Sequence, residues 1–538
     1  MYQDKGTGMY LPHGVRTSAA LRREAAQRQV LSVLNSGYSH YGASRAKASM
    51  KGWNSYSGSA KEDIEDNLDI LRQRSRDAYM GIPAATAALK TLRTNVIAGG
   101  LMPSPQIDGD YLKMTSEQVE ELQAKILREF SLWADSPACD ADRVDDFYGQ
   151  QQLAFLGSLM NGDGFATLTL KPRPQQPYDL RVRLIEADRV CSPNYRDCLT
   201  PGKVLGRDVE SIVQGVETDA DGEIIAYWIA NKHPRSYTTL KPQDWKRVEV
   251  YGKKTGMKNI LHIMQRERAG QRRGVPILAP VLETLKQLER YAEAETTAAL
   301  LGAIFTVFVK KGSISDEGPF GQMMREELLK RMAGGEDRNP NDLELGAGLI
   351  MDLEMGESVD TVETQHPHSG YDTFMMARMK QAAAAMEIPV EVIFKHFTTS
   401  FSSARGALNE FWRTCGMMRD WFSEDFCQPI YETWFAEAVA RGRIDAPGYF
   451  DDSAIRKAYT ECKWNGPART ALNPSQEVEA AIKRVENGFS TAAEETAQLT
   501  GGDYNRNIRQ RLLEAKRKRE VDEASKPPQE QKHPEQPE

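Results

Sequence analysis

Residues 274–301 read GVPILAPVLETLKQLERYAEAETTAALL and contain a long helical pattern. Apolar residues recur every three or four positions from Leu278 through Leu285 to Ala299, as they do on one face of an α-helix. About 26 residues at 1.5 Å per residue would form a rod of roughly 39 Å. Pro276 is tolerated in a first helical turn, whereas Pro280 is expected to delay the start of the helix.

Two more long helices are predicted downstream of this rod. The first covers residues 369–386, and the second covers residues 403–440. Pro429 lies deep inside the second helix and should kink it just upstream. Trp412 and Phe422 lie on the apolar stripe of this helix and are predicted to carry subunit packing.

The remaining predicted elements form a helical first part, a β-rich middle and a helical end. Pro83 should split the pattern at 64–96 into two helices. An Asp-Gly pair at 221–222 predicts a hairpin inside the β-rich region 178–264. Further helices are predicted at 116–133 with Ser116 as N-cap, and at 145–160, 475–487 and 503–520, with a strand at 165–171. The fold class is therefore α+β, mainly helical.

Composition excludes several classes of protein. The chain has 538 residues, with 69 Lys+Arg against 76 Asp+Glu and a net charge of −7. That balance argues against a protein that coats nucleic acid by bulk charge. The six cysteines are scattered without a C-x-x-C pair, as in a reducing compartment. With no secretory signal and no apolar run beyond the twelve residues 298–309, we expect a soluble cytoplasmic protein without a membrane anchor.

The two ends of the chain differ in composition from the rest. Residues 1–61 hold nine Lys/Arg and two Asp/Glu and show little apolar periodicity. They are interpreted as a basic mobile arm that is either simply solvated or ordered on a partner or a phosphate. Residues 525–538 are rich in Pro, Gln, Glu and Lys and are predicted to be disordered.

Motifs for nucleotide binding, metalloprotease and hydrolase chemistry are absent from the sequence. His366-Pro-His368 could chelate a metal in principle, and Asp219-Ala-Asp-Gly-Glu223 resembles half of a calcium loop, but a turn explains each of them better. Ser402-Ser403-Ala-Arg405 fits a helix N-cap better than an activated nucleophile. We therefore expect no catalytic residue, no metal, no cofactor and no enzymatic activity.

Short motifs spread over about residues 65–510 occur in an order that resembles a known family. They are Arg76-Asp77, Asn95-Val-Ile-Ala-Gly-Gly-Leu101, Asn161-Gly-Asp-Gly-Phe165, Leu184-Ile-Glu-Ala-Asp-Arg-Val190, Gly270-Gln-Arg-Arg-Gly-Val-Pro276, Phe401-Ser-Ser-Ala-Arg405 with Asn409-Glu-Phe-Trp412, and Trp464-x-Gly466-x-x-Arg469 with Glu477, Gly488 and Ser490. In this order they resemble the lambda family of tailed-bacteriophage portal proteins. Met355-Gly-Glu357 departs from the Pro-Gly-Glu expected before the second stem helix.

The resemblance implies a portal-type subunit that assembles as a ring. It implies a basic mobile arm at 1–61, followed by a wing at 62–264 made of helices and then a β-rich region. A first stem helix at 265–302, a clip at 303–368, a second stem helix at 369–389 and a tunnel loop at 390–403 come next. The chain then ends with a long kinked helix returning to the wing at 404–462, a crown at 463–520 and a disordered tail at 521–538.

The resemblance also implies function and partners. Portal rings, usually of twelve subunits, lie at one capsid vertex of the virion, and the ring would assemble in the host cytoplasm. Double-stranded DNA passes through the channel during packaging and ejection, without sequence readout. The ring docks terminase and a head-tail connector protein and contacts the major capsid protein or a scaffold. The absence of a nucleotide-binding motif agrees with a packaging motor that is a separate protein. The excess of acidic residues agrees with a channel in which DNA must slide, because many Lys or Arg contacts to phosphate would hold the DNA in place.

By resemblance, the narrowest part of the channel is the tunnel loop at 390–403. The implied DNA-channel residues are Lys395, His396, Thr398, Thr399 and Ser400, and the implied packing and helix-cap residues are Phe394, Phe397, Phe401, Ser402, Ser403 and Arg405. The three aromatic residues are either packing anchors, a soft constriction or simply buried against the stem.

Two other functions stay open at this point. A head maturation protease or nuclease would need a nucleophile–base pair or a carboxylate cluster, and no partnered motif of that kind is seen. A head-tail adaptor would form smaller rings without a central loop between two rods. Negative-stain images would separate the three hypotheses, because only a portal should show rings with a central hole.

Overall fold

The computed structural model describes residues 2–3, 10–11, 22–23, 26, 48–53, 56–236, 242–304, 308–311, 357–360, 370–397, 400–469 and 473–524. The chain divides into two compact units, residues 1–59 and 60–538. In the first unit, β1 (Tyr2–Gln3) pairs antiparallel with β2 (Tyr10–Leu11), and Ala48–Met50 forms one 3-10 turn.

The second unit begins with a helical layer. Its helices are α1 (Ala60–Asp63), α2 (Leu68–Gly81), α3 (Pro83–Val96), α4 (Gly109–Leu112), α5 (Ser116–Ala134) and α6 (Phe147–Asn161), with strand β3 (Met102–Pro105) after α3. The predicted break at Pro83 is confirmed, since this proline occupies the first turn of α3. The N-cap prediction for α5 is wrong by one residue. Thr115 is the N-cap, and its hydroxyl accepts from the Gln118 backbone while the Gln118 side chain bonds back to the Thr115 backbone.

The β-rich region forms two antiparallel sheets. In the first, β4 (Asp163–Leu170) lies between β5 (Leu180–Ile185) and β12 (Ile260–Met264). The second has the order β11-β10-β9-β8. Its strands are β8 (Ser211–Val213), β9 (Val216–Thr218), β10 (Ile224–Ala230) and β11 (Trp245–Glu249), and β6 (Gly202–Val204) with β7 (Arg207–Val209) forms a separate ribbon. The predicted hairpin is confirmed, with Gly222 at a φ of 88° in the turn between β9 and β10.

The first long helix, α7, covers Leu282–Ile304 and follows a 3-10 turn at Ala279–Val281. The expectation that Pro280 delays the helix is therefore confirmed. Farther on, β13 (Phe308–Lys311) pairs antiparallel with β14 (Glu357–Asp360). Most of the predicted clip, including His366 and His368, lies outside the described residues.

The second and third long helices are also present. Helix α8 covers Tyr371–Ala385, a short α9 covers Val390–Phe394, and α10 covers Phe401–Phe422. A π-helical segment at Ser423–Cys427 then leads into α11 (Gln428–Ala440). Pro429 has no N–H to donate back into the helix, and the hydrogen-bond register changes just before it. The predicted kink at this place stays a prediction.

The last elements return to the helical layer. Helix α12 (Ser453–Thr460) precedes β15 (Cys462–Asn465), which pairs antiparallel with β3. Helices α13 (Pro474–Glu486), α14 (Ala492–Thr500) and α15 (Tyr504–Ala524) follow. The predicted wing–crown boundary at 463 thus falls inside a strand that is paired with β3. The segment boundaries named above otherwise stay predictions.

In the described part of the second unit there are two main apolar cores, and Val209, Ile212 and Trp228 form a small third cluster. The larger one joins the helical layer to α7, α8, α10 and α11. Its centre is aromatic, with the Phe130 and Trp434 rings meeting edge to face at 4.9 Å. The smaller core lies between the two sheets and includes Phe165, Tyr227 and Ile229. The observed α+β, mainly helical architecture confirms the predicted class. Among the described residues, no helix combines the length and the apolar character needed to cross a membrane.

Candidate functional site

The predicted tunnel loop is shorter than the sequence suggested. Residues 390–394 form α9, and α10 begins at Phe401, so the connection covers only residues 395–400. The prediction of a loop over all of 390–403 is therefore wrong. Pro389 supplies the N-cap of α9, and the buried side chains of Val390 and Ile393 hold this short helix against the core.

The two predicted cations lie at the end of α9. Lys395 ends the helix with a φ of 54°, a left-handed conformation that is uncommon for a residue other than glycine. The backbone N–H groups of Lys395 and His396 both donate to the carbonyl oxygen of Glu391. Both side chains are exposed, whereas Thr398 and Thr399 lie outside the described residues.

The aromatic residues of the connection are not buried inside the subunit. Phe394 is 45% exposed and Phe397 is 53% exposed. The interpretation that they are simply buried against the stem of their own chain is therefore wrong for these two residues. Their role as anchors or as a constriction stays a prediction. The side chain of Phe401 lies outside the description, although its backbone begins α10.

The helix cap differs from the prediction. Ser400 is the N-cap of α10, because its hydroxyl accepts a hydrogen bond from the Ser403 backbone at 3.4 Å. Ser402 and Ser403 lie inside the first turn and are exposed, so their assignment as cap residues is wrong. Arg405 follows that turn and is also exposed.

The two residues predicted to carry subunit packing have different surroundings. Phe422 is fully buried within the chain and packs edge to face on Phe155 at 5.4 Å. Its packing role therefore lies inside the subunit. Trp412 is half-buried and lines a cleft between α10 and helices α13 and α14. Its role in contacts between subunits stays a prediction.

A buried ion-pair cluster lies where α2, the first sheet and the approach to α7 meet. We call it the Asp163 node; it consists of Asp163, Arg72, Arg273, His262 and Gly274. Arg273 donates from Nε to Oδ2 of Asp163 at 2.6 Å and from Nη2 to Oδ1 at 3.2 Å. Arg72 donates from Nη2 to Oδ1 at 3.1 Å, and the Gly274 backbone donates to Oδ2 at 3.2 Å. One carboxylate thus joins three parts of the chain.

Both guanidinium groups also donate hydrogen bonds to backbone carbonyls. Nη1 of Arg273 donates to the Val190 carbonyl at 2.7 Å, and Nη2 donates to the Ala187 carbonyl at 2.8 Å. Nε of Arg72 donates to the Asn161 carbonyl at 3.0 Å. Such extra hydrogen bonds are what allows a buried charge cluster to be tolerated.

The pKa shifts agree with a charged node. Burial opposes ionisation of Asp163, but Arg273 and Arg72 outweigh it, so the pKa of Asp163 lies well below its ordinary value. Burial, together with Arg273, lowers the pKa of Arg72 to about 10, which leaves it charged at neutral pH. Burial lowers the pKa of His262, and its hydrogen bond to Asp163 opposes that shift. A neutral His262 can donate from Nε2 to Asp163 and accept at Nδ1 from the Tyr227 hydroxyl at 3.1 Å.

Two glycines let the backbones meet beside this node. Gly162 has a φ of 90°, and a Cβ there would lie 2.5 Å from the carbonyl carbon of Gly274. A Cβ on Gly274 would lie 1.9 Å from the carbonyl oxygen of Gly162. Only hydrogen fits at either position, so the end of α6 and the approach to α7 touch through bare backbone.

A second contact joins α10 to the end of α3. Nε of Arg419 donates to the Val96 carbonyl at 3.2 Å, and Nη2 donates to the Asn95 carbonyl at 3.3 Å. The guanidinium passes over Gly466, where a Cβ would lie 2.2 Å from Nε. Helix α10 is thereby tied to both α3 and the segment that leads to the last helices.

The motifs that carried the resemblance therefore converge in space. The segments around residues 76, 161–165, 184–190 and 270–276 meet at or beside the Asp163 node, and those around 95–101 and 464–469 meet at Arg419. The roles of Asp163, Arg72, Arg273 and Arg419 were missed from the sequence. Asp163 and Arg273 lie inside the separated motifs, which was a signal for these two, whereas Arg72 and Arg419 lie outside all of the motifs.

One group of side chains has the spacing of a metal site. Ligand atoms of Glu186, Asp188 and His233 lie within 4.8 Å of one another. The guanidinium of Arg76 contacts both carboxylates, which already places a positive charge between them. We therefore assign no metal ion to this group.

Comparison with known proteins places the chain in a family. A family model described as phage portal protein, lambda family, matches residues 46–419, more than half of the chain. The chain therefore belongs to the lambda family of phage portal proteins. The resemblance noted in the scattered motifs is confirmed, and the function it carries is that of a phage portal ring for DNA packaging.

Similar proteins include two from phages of Escherichia. Portal protein B of phage lambda is 22% identical over 499 residues, which cover 90% of both chains. The portal protein of phage N15 is 22% identical over 500 residues, with the same coverage. Portal proteins are structural components of virions.

Solved structures with a similar chain include the virion of a native gene transfer agent particle. The two chains are 15% identical, the match covers 80% of this chain and 92% of that chain, and the TM-score is 0.41. Another is the crystal structure of an HK97 family phage portal protein from Corynebacterium diphtheriae, which is 12% identical. That match covers 72% of this chain and 95% of that chain, and its TM-score is 0.30.

Proposed function

We propose that the chain forms the ring at one capsid vertex through which double-stranded DNA enters during packaging and leaves during ejection. The ring would contain twelve subunits, assembled in the host cytoplasm and carried in the virion. We propose no catalytic activity and no cofactor, because the ring needs only to hold its shape while a separate motor moves the DNA.

The observation that supports a channel role for residues 395–400 is the exposure of Lys395 and His396 at the end of a short helix that the core holds in place. Phosphate contacts by Lys give affinity that does not depend on sequence, and many such contacts would make DNA stick. The chain carries a net charge of −7, so a few isolated cations facing the axis would guide DNA without holding it. Thr398, Thr399 and Ser400 would complete the loop as polar, uncharged neighbours.

The same ring would serve as a platform for other proteins of the particle. Family membership supports docking of terminase during packaging and of a head-tail connector protein afterwards, with the major capsid protein or a scaffold around the ring. No membrane role is proposed.

The test is a double substitution, Lys395→Ala with His396→Ala, in particles assembled from the complete chain. Exposed charges usually change stability by less than about 0.5 kcal/mol, so rings should form normally. We expect fewer DNA-filled heads or leakage of DNA from filled heads, measured as packaged DNA per particle. Lys254→Ala, which removes an exposed cation from the loop between β11 and β12, should have no effect.

Wild-type packaging and retention in the double variant would remove Lys395 and His396 from the channel, although the chain would still be a portal protein. The adaptor alternative would be favoured instead if purified rings showed no central hole by negative stain.

A further inference from the structure

A large cleft lies between the two sheets. Strands β4 and β5 of the first sheet and β10 and β11 of the second contribute its walls, and its volume is about 870 Å³. Buried Ile185 and Ile229 lie at the junction with the smaller apolar core. The tunnel loop and the long helices contribute no residue to it.

The cleft is cationic in a chain that is acidic overall. Seven Lys/Arg and two Asp/Glu line it. Arg247 is paired with Glu217 and Glu249, and Arg183 is paired with Asp142. Among the residues that the structure describes, Lys246 and Arg207 have exposed side chains and no ion pair. The wall therefore carries an uncompensated positive charge.

The strongest feature of this cleft is Arg181 on β5. Its side chain is 1% exposed, and it shares a sheet face with Arg183 and Ile185 because alternate residues of a strand point the same way. Nη1 donates to the carbonyl of Leu180 at 2.7 Å, whereas Nε and Nη2 find no hydrogen-bond partner within the described part of the chain. Buried guanidinium nitrogens are nearly always bonded, so these two mark an incomplete site.

The neighbouring carboxylates do not accept hydrogen bonds from these two nitrogens of Arg181. Asp179 and Glu437 act on Arg181 through their charges, but both are bonded to Arg441. Burial lowers the pKa of Arg181, and the charge of Arg173 lowers it further. An oxyanion that reached Nε and Nη2 would supply the missing acceptors.

We propose that this cleft binds an acidic peptide segment of another protein, with a carboxylate on Arg181 and further carboxylates near Lys246 and Arg207. At about 870 Å³, the cleft is much larger than one small oxyanion needs. The mixture of cations with apolar Ile185 and Ile229 suits side chains of both kinds in one peptide.

The test uses the purified full-length protein and a fluorescein-labelled hexaglutamate peptide, followed by fluorescence anisotropy. We expect saturable binding that weakens with salt and that falls about tenfold or more in Arg181→Met, because charge-assisted hydrogen bonds are among the stronger ones. Arg207→Ala with Lys246→Ala changes only exposed side chains and should weaken binding similarly. Negative-stain images report whether each variant still forms rings.

A matched control is Arg128→Ala with Lys254→Ala, which removes two exposed cations outside the cleft. Retained binding in this control and lost binding in the two cleft variants would support the proposal. Absent binding to the wild type, or equal binding to all variants, would overturn it. Displacement of the labelled peptide by inorganic phosphate or a short DNA duplex more effectively than by unlabelled hexaglutamate would also overturn it, since the ligand would then be of another class.

Discussion

Replacing Asp163 by Asn should destabilise the protein more than any exposed substitution of the same kind. The amide keeps the size of the carboxylate but leaves Arg72 and Arg273, which are 1% and 0% exposed, without their counter-charge. Removing one partner of a buried ion pair typically costs about 3–5 kcal/mol. At about 2.1 cal/mol/K of unfolding entropy per residue, a unit that spans residues 60–538 shifts by about 1 °C per kcal/mol, so the thermal midpoint should fall by roughly 3–5 °C.

The assay is thermal unfolding at one fixed protein concentration, because assembly shifts apparent stability by mass action. Asp142→Asn is the matched control. Asp142 also pairs with an arginine, Arg183, but the two side chains are 63% and 51% exposed. Exposed pairs contribute about 0–1 kcal/mol, so the control should shift the midpoint by no more than about 1 °C. Equal midpoints for the Asp163 and Asp142 variants would refute the reasoning.

The pH dependence supplies a second readout of the same substitution. The folded pKa of Asp163 is lowered, because Arg273 and Arg72 outweigh the opposing effect of burial. The stability from this carboxylate is therefore complete above its unfolded pKa, about 3.9, and is lost as pH falls toward the folded value. Below about pH 4, the wild type should lose stability more steeply than Asp163→Asn. Equal slopes would show that the node is not linked to folding.

Two further substitutions test the backbone contact between Gly162 and Gly274 and the packing of α10 through Trp412. Gly274→Ala should lower the thermal midpoint by an amount equivalent to about 1–3 kcal/mol or more, since its Cβ would meet the Gly162 backbone at 1.9 Å. Gly157→Ala in α6 meets nothing within 4 Å and should be neutral or stabilising by up to about 1 kcal/mol in the same scan. Trp412→Ala should reduce ring yield by light scattering, because a half-buried aromatic contributes about 2 kcal/mol of packing, roughly half of a fully buried one. Glu410→Ala, with a side chain 71% exposed, should assemble normally, and equal yields for these two variants would argue against packing through Trp412.

Local chemistry made the long elements predictable. The break at Pro83, the late start of α7 after Pro280 and the change of register before Pro429 all follow from one residue type that lacks an N–H. The three long helices were recognised because their apolar faces repeat over many turns. Signals of this kind are carried by neighbouring residues and need no knowledge of the rest of the chain.

The connection at 395–400 shows where local signals fail. Helix α9 has five residues, too few for a periodic pattern to appear, so its place in the expected loop was not recognised. Ser400, Ser402 and Ser403 can each cap a helix. Ser400 is the one whose hydroxyl accepts from the helix backbone, and no local sequence signal separates it from the other two serines.

Sequence order alone was enough to assign the chain to the portal family, because the motifs keep their order even where each is weak. It could not show why those motifs matter. Arg72 and Arg273 lie 91 and 110 residues from Asp163, and nothing local indicates that they share one carboxylate. Arg181 likewise looks like an exposed residue of an alternating strand, yet its side chain is 1% exposed in the folded chain. Burial turns an ordinary charge into one that must be paired, and burial is a property of the tertiary structure alone.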